Sequence, residues 1–501
     1  MTKYLVIVES PAKRAKIKKF LESISPKDSF IVEASYGHIV SFKNGLKSII
    51  VKTGKSKEPI KAKKLASTVS FYPEYLIDEH SEKIVAKLKS LVKKVTKKNV
   101  IIATDLDREG EAIGYHLMDQ LGLPKTTKRI HFNEITKSAL EKAFKNPTRL
   151  NMDMINAQQA RSVLDLLIGY SITPLVWRIV QNYKLSAGRC QTPALKLIYD
   201  RHKEIEDFTS QSSYLVTADF KVGTKKISET KYISPIEDIK KTKKLLKKLI
   251  PLSYILKLYS VNRTASNPPP PFITSSIQQE ASNRLGMSPR ATMAALQKLY
   301  EKGLITYMRT DSPAISASAA TQCKTYIESN HSGLYKPRVY KPKGKNAQEA
   351  HECIRPTSIN TSTITGASKK LYRMIWIRTV SCFMKEYISE TTTFRFTNKK
   401  EYFATKKKTT IDLGYKILDP DSVIEDVAMI KYLKKYLEQT FIAEQIIGQQ
   451  VFSNPASMYT EASLVKGLEK KGIGRPSTFS SLVTKVLDRK YAIKEEKELD
   501  P

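Results

Sequence analysis

The sequence predicts a multidomain chain that joins an α/β unit to helical and β-rich regions. Three observations carry that expectation: two apolar runs each followed by a helix signal, a long stretch of apolar residues at helical spacing, and two separated stretches of short alternating segments. The chain has 501 residues and 41% apolar content. With about 100 to 200 residues per domain, it should divide into about three or four.

Tyr4 to Val8 reads as a buried strand, followed by a helix from Pro11 to Leu21 with Ser10 as cap and Pro11 in the first helical position. The pattern repeats with a strand from Asn99 to Thr104 and a helix from Asp107 to Leu121. Two such junctions meet at one edge of a parallel sheet, where ligands of such sheets bind. From Asn151 to Val180, the residues Ile155, Ala160, Val163, Leu164, Leu167 and Ile168 recur at helical spacing. Strands are expected between Phe208 and Tyr259, and the run SNPPPP from Ser266 to Pro271 must be extended, marking a boundary. Helices should follow to Glu390, strands from Thr391 to Gln450, and helices again to the end. The chain thus leaves domains and returns to them, and no repeat is visible.

Lysine and arginine number 85 against 49 acidic residues, a formal charge of +36. The natural partner of so positive a field is a polyanion, nucleic acid first, with an anionic membrane surface or a merely lysine-rich composition as the other readings. No stretch approaches the roughly 20 uninterrupted apolar residues of a membrane span, and the N-terminus lacks a signal-peptide core. The expectation is a soluble intracellular protein. Cys190, Cys323, Cys353 and Cys382 form no CxxC pair, which argues against a disulfide framework or zinc ribbon. Any metal should then be held by oxygen.

Asp105, Asp107 and Glu109 alternate in ATDLDREGE directly after a strand, with Glu111 two residues on and Glu9 after the other strand. Carboxylates so spaced are hard oxygen ligands suited to Mg²⁺. Acidic residues also favour a helix N-terminus through its dipole, which is the structural alternative.

A strand ending in glutamate with a later Asp-x-Asp-x-Glu resembles the Toprim domain. The remainder of the chain narrows the resemblance: VESPAKRAKIKKFL, ASYGHIVSF, ATDLDREGEAIGYHL, HFNEIT, NAQQARSVLDLLIGY, LSAGRCQTPAL, PPPPFITSSIQQEA, GLITYMRTDS, AQEAHECIRP and GIGRPSTF resemble, in order, the motifs of type IA DNA topoisomerases. The resemblance implies a Toprim domain over 1–150 with a basic insertion near 42–75, a helical single-strand-groove domain over 151–207 and 452–501, a β-rich arch over 208–265 and 391–451, and a helical domain over 266–390 carrying the nucleophile. Together these should form a toroid.

The same resemblance singles out Tyr307 as the nucleophile among 25 tyrosines. In the family such a tyrosine makes a 5′-phosphotyrosyl bond and religation follows without ATP. Carried over, Glu9 is the general acid or base at the 3′ oxygen, Lys13 neutralises the phosphate, and Arg309 accompanies the phenol. His351 supports the scissile site, and Glu9, Asp105, Asp107 and Glu109 are the Mg²⁺ ligands. If the segment is extended, Tyr307 and Arg309 point to the same side. The DNA contacts implied are His38, Arg161, Ser162, Asp165 and Trp177, the loop Ser186, Ala187, Gly188, Arg189, Cys190 and Gln191, and also Arg475 and Arg489. Ser162 stands where bacterial members often carry a second arginine, and Cys353 where the family usually has a smaller residue. Arg161 and Asp165, four apart, also suit an ordinary helix-face pair.

The expectation is therefore a monomeric, DNA-associated, cytoplasmic enzyme relaxing negative supercoils with Mg²⁺. Two alternatives stay open: a topoisomerase III-type decatenase, and a catalytically idle single-stranded-DNA-binding scaffold. Family members generally continue beyond the point where this chain stops.

Overall fold

A computed structural model describes residues 1–42, 45–53, 56–59, 70–232, 235–342, 352–423 and 425–495. The first unit is a parallel sheet. β1 (Lys3–Val8) lies between β2 (Ser29–Ala34) and β8 (Val100–Ala103), and β9 (Lys128–Arg129) continues the order. Leu5, Val6, Ile7 and Val8 are all fully buried, as a central strand covered on both faces requires. One face is covered by α1 (Arg14–Ile24), which follows the Ser10-capped turn Pro11–Lys13, and by α4 (Lys137–Lys145). The other carries α2 (Glu82–Lys93) and α3 (Arg108–Gln120). Between β2 and α2 the short strands β3 (Val40–Ser41) and β7 (Leu76–Ile77) pair, and β4 (Ile49–Thr53) pairs with β5 (Ser56–Pro59) and β6 (Ser70–Pro73).

α5 (Met152–Val180) and α6 (Gln191–Glu206) lead away from the sheet. By length and composition α5 is apolar enough to cross a membrane, although no uninterrupted apolar run was expected there. Gly169, Ser171, Thr173 and Pro174 break the run without lowering its average much, and Leu175, Ile179 and Val180 are exposed.

Six strands then close a barrel in the order β10 (Ser212–Val222), β11 (Lys225–Tyr232), β14 (Glu401–Asp412), β13 (Tyr387–Asn398), β12 (Ser253–Ser266) and β15 (Thr440–Phe452). Its core stacks Phe220 on Phe396 at 3.9 Å between ring centroids, with Phe403 and Tyr254 packed edge-on. Two helices interrupt stretches expected to be strands, α7 (Ile239–Leu249) and α12 (Val427–Lys434). The leucines of α7 meet the barrel while its lysines face outward, a pattern masked in the sequence by sheer lysine density.

Between the two halves of the barrel lie α8 (Thr274–Leu285), α9 (Pro289–Glu301), α10 (Ala317–Asn330) and α11 (Lys369–Ser381). The last helices, α13 (Glu461–Lys470) and α14 (Phe479–Asp488), return to pack on α6, α8 and α9. The ring of domains closes through one apolar cluster, in which Val8, Ile17 and Ala103 of the sheet unit join Ile277, Leu299, Tyr300, Ile305 and Ile375 of the helical unit. The architecture is a toroid.

Candidate active site

β1 and β8 are neighbours in parallel register, Val8 opposite Ala103, so Glu9 and Asp105 leave the sheet at the same edge. Asp107 caps α3 by accepting a hydrogen bond from the Gly110 amide at 2.8 Å. The loop folds so tightly that a Cβ on Gly110 would lie 2.1 Å from the Asp105 carbonyl oxygen, against backbone that cannot yield. Gly110→Ala should therefore destabilise the fold by about 3 kcal/mol or more, and a urea midpoint equal to wild type would show that the loop relaxes freely.

Arg129 secures this loop from beneath. Fully buried, it donates to the carbonyls of Thr104 (2.8 Å) and Asp105 (2.9 Å) and to Glu111 (2.8 Å). Glu111 also meets His131 and the Asn151 amide, and these partners outweigh burial and hold its carboxyl at about 2. It is an ionised anchor. Sequence reasoning missed Arg129 because a lone arginine in KRIHF looks like any surface cation.

The tyrosine arrives from the other unit. α9 is followed by Gly303, whose φ of +63° and close approach to the Ile135 carbonyl suit glycine alone. Beyond it Thr306 donates to the Arg355 carbonyl at 2.9 Å and Tyr307 to the Asn133 carbonyl at 2.8 Å, so its backbone is fixed to the sheet unit. The Tyr307 hydroxyl donates to Asp107 Oδ2 at 2.5 Å, and Arg309 Nη1 lies 3.3 Å from the same oxygen. Tyr307 and Arg309 thus do face one side. Burial, then Asp107 and Asp105, push the phenol well above its ordinary value, with Arg309 opposing. Resting Tyr307 is a neutral phenol.

Glu9 is pushed up to about 7, first by burial and then by Asp105, with Lys13 opposing. The Asp105 amide lies 3.5 Å from its Oε2. Lys13 is fully buried and ion-paired directly with Asp105.

The four expected metal ligands are not gathered into one set. Among the described residues no group of three His, Cys, Asp or Glu side chains is placed to hold a metal. Glu109, at the second position of α3, turns instead toward α5 and meets His38 (3.2 Å), Gln158 (2.9 Å) and Arg161 (3.1 Å). Against the opposing effect of burial, these partners hold its carboxyl at about 2. Asp105 and Asp107 remain as a pair of hard oxygen donors, which suits an ion that takes one or two carboxylates and keeps its waters. Lys13, Tyr307 and Arg309 occupy them here.

The expected DNA contacts form a chain of charges. His38 and Arg161 meet on Glu109, Arg161 lies 3.8 Å from Asp165, and Arg189 grips Asp165 at 2.9 and 3.3 Å. Ser162 accepts from Gln158, and the Trp177 indole donates to the Leu185 carbonyl at 2.6 Å. In the glycine-bearing loop the amides of Ser186, Ala187 and Gly188 are spent on Tyr491, Thr173 and Thr192. Gln191 also ties this loop through Ser186, and Cys190 ends it as the cap of α6. Arg475 and Arg489 are exposed. His351 lies outside the described residues.

The fold and site together define a Toprim carboxylate centre closed by a tyrosine from a second domain. Comparison with known proteins agrees: residues 4–135 match the Toprim domain and residues 149–501 match a family described as DNA topoisomerase. The chain belongs to the type IA DNA topoisomerase family. It is 38% identical to DNA topoisomerase 1 of Rickettsia prowazekii over 99% of this chain and 66% of that protein, and 38% identical to DNA topoisomerase 1 of Campylobacter jejuni over 100% and 71%. It resembles the solved full-length topoisomerase I from Thermotoga maritima with a TM-score of 0.76 and 30% identity, covering 97% of this chain and 78% of that one. The chain spans about two thirds of the length of these curated relatives, and 59% of that from Pasteurella multocida.

Proposed function

We propose that the chain breaks and reseals one DNA strand through Tyr307 and passes another strand through the break, relaxing negative supercoils in intracellular DNA. The observation that carries this is the Tyr307 hydroxyl on Asp107, 2.5 Å away, although the two residues stand in different domains. A nucleophile that must be brought to its acid–base groups by domain closure suits a break that has to open.

In this reading the Tyr307 oxygen attacks the phosphorus, its proton passes to Asp107, and the bond to the 3′ oxygen breaks as Glu9 donates a proton to it. Religation runs these transfers backward, so the phosphotyrosyl bond conserves the energy of the broken linkage. Arg309 and Lys13 neutralise the phosphate. The chain of charges from His38 to Arg189 lines the path of a single strand, and the +36 charge adds salt-sensitive attraction to backbone.

Asp105 and Asp107 would hold Mg²⁺, which supplies charge neutralisation at phosphates and cleaved ends. Glu109 serves by orienting His38 and Arg161. Asp105→Ala with Asp107→Ala should remove Mg²⁺-dependent relaxation, and relaxation unchanged at low Mg²⁺ would show that these carboxylates only shape the loop. The reading as a whole is tested on negatively supercoiled plasmid, where ladders of relaxed topoisomers and a denaturant-stable covalent adduct are expected. A chain that binds single strands but forms no adduct would be the idle scaffold.

A further inference from the structure

Lys13 faces two demands. It neutralises buried Asp105 in the free site, yet the proposed reaction needs its ammonium at the phosphate. When Lys13 turns away, Asp105 stays buried, where an unpaired carboxylate is strongly disfavoured. Arg129 does not replace it, since that guanidinium reaches only the Asp105 main-chain oxygen.

One donor in this corner is unused. Tyr300 of α9 is fully buried, and its hydroxyl has no hydrogen-bond partner among the described residues. An orphaned buried hydroxyl in a closed site calls for a reason. The face of its ring carries the Lys13 ammonium, 4.9 Å from the centroid, and the ring meets that of Tyr307 edge-on, with centroids 5.2 Å apart and planes at 69°. Burial, then the charges of Asp105 and Glu9, hold the phenol in its neutral, donating form.

We propose that Tyr300 is a positioning residue whose hydroxyl takes over Asp105 when a DNA phosphate draws the Lys13 ammonium away. The exchange moves no proton: the ammonium passes from a carboxylate to a phosphate oxygen, and a phenol O–H donates to the carboxylate left behind. The inference rests on the proposed strand-breaking role of Lys13.

Two measurements test it. In single-turnover cleavage of a labelled single-stranded oligonucleotide, Tyr300→Phe keeps the ring and loses the hydroxyl, so adduct formation should slow about tenfold while the oligonucleotide Kd stays within about twofold. In thermal unfolding, Tyr300→Phe should leave Tm unchanged when Lys13 is present, because the hydroxyl is idle there. In a Lys13→Met background Asp105 depends on that hydroxyl, and the same change should lower Tm by about 3 °C or more. Unchanged cleavage in Tyr300→Phe overturns the inference. So does an equal Tm effect in both backgrounds, or a parallel loss of DNA binding, since each marks a packing role. If the wild-type chain forms no adduct at all, the strand-breaking reading falls and this inference with it.

Discussion

Tyr307→Phe should abolish the covalent protein–DNA adduct, a loss of roughly 10³-fold or more, while single-strand binding is retained. The substitution removes one oxygen. The ring keeps its edge contact with Tyr300, and the backbone amide keeps the Asn133 carbonyl. Asp107 keeps the Gly110 amide and Arg309, so no carboxylate is stranded. The groove residues His38, Arg161 and Arg189 keep their own carboxylate partners, Glu109 and Asp165. A denaturing gel with end-labelled oligonucleotide reads the adduct, and filter binding reads affinity. Normal adduct in the variant would assign attack to another of the 25 tyrosines.

Glu9→Ala should slow cleavage of ordinary DNA by about 10²- to 10⁴-fold, the usual contribution of a positioned acid. The 3′ alkoxide leaves poorly without a proton, and a carboxyl held at about 7 is half protonated near neutrality. Wild-type cleavage should accordingly decline as pH rises through about 7. Linkage has the same sign: Glu9 titrates near 4.5 when unfolded and about 7 when folded, so the stability it lends is full below about 4.5 and lost by about 7. Substrate with sulfur in place of the bridging 3′ oxygen has a leaving group that needs no proton, and the variant should recover most of its rate on it. An equally deep defect on both substrates would assign Glu9 to metal binding or structure.

The strand-and-helix alternation at both central strands of the sheet was legible because buried parallel strands such as LVIV and capping residues such as Ser10 and Asp107 are local signals. That Glu9 and Asp105 share an edge followed from the same pattern. Partner choice was not legible. Asp107 and Glu109 look alike in DLDREGE, yet one caps α3 beneath Tyr307 and the other faces α5, a difference fixed by helix geometry and by Gln158 and Arg161 some 50 residues on. Nothing in the sequence marks Tyr300, which shares an apolar helix face with Leu296 and Leu299, and only the tertiary fold sets its ring under the Lys13 ammonium. The lysines of α7 hid a helix inside a strand-like stretch.

Parting Tyr307 from the Toprim carboxylates divides the cluster that Val8, Ile17 and Ala103 share with Ile277, Leu299 and Ile305. Apolar surface then meets water, and its hydration raises the heat capacity. The balance between joined and parted domains must therefore curve with temperature. On cooling, the seal loses the driving force that holds it shut, so the domains separate more readily in the cold than a straight line drawn through warm measurements would indicate.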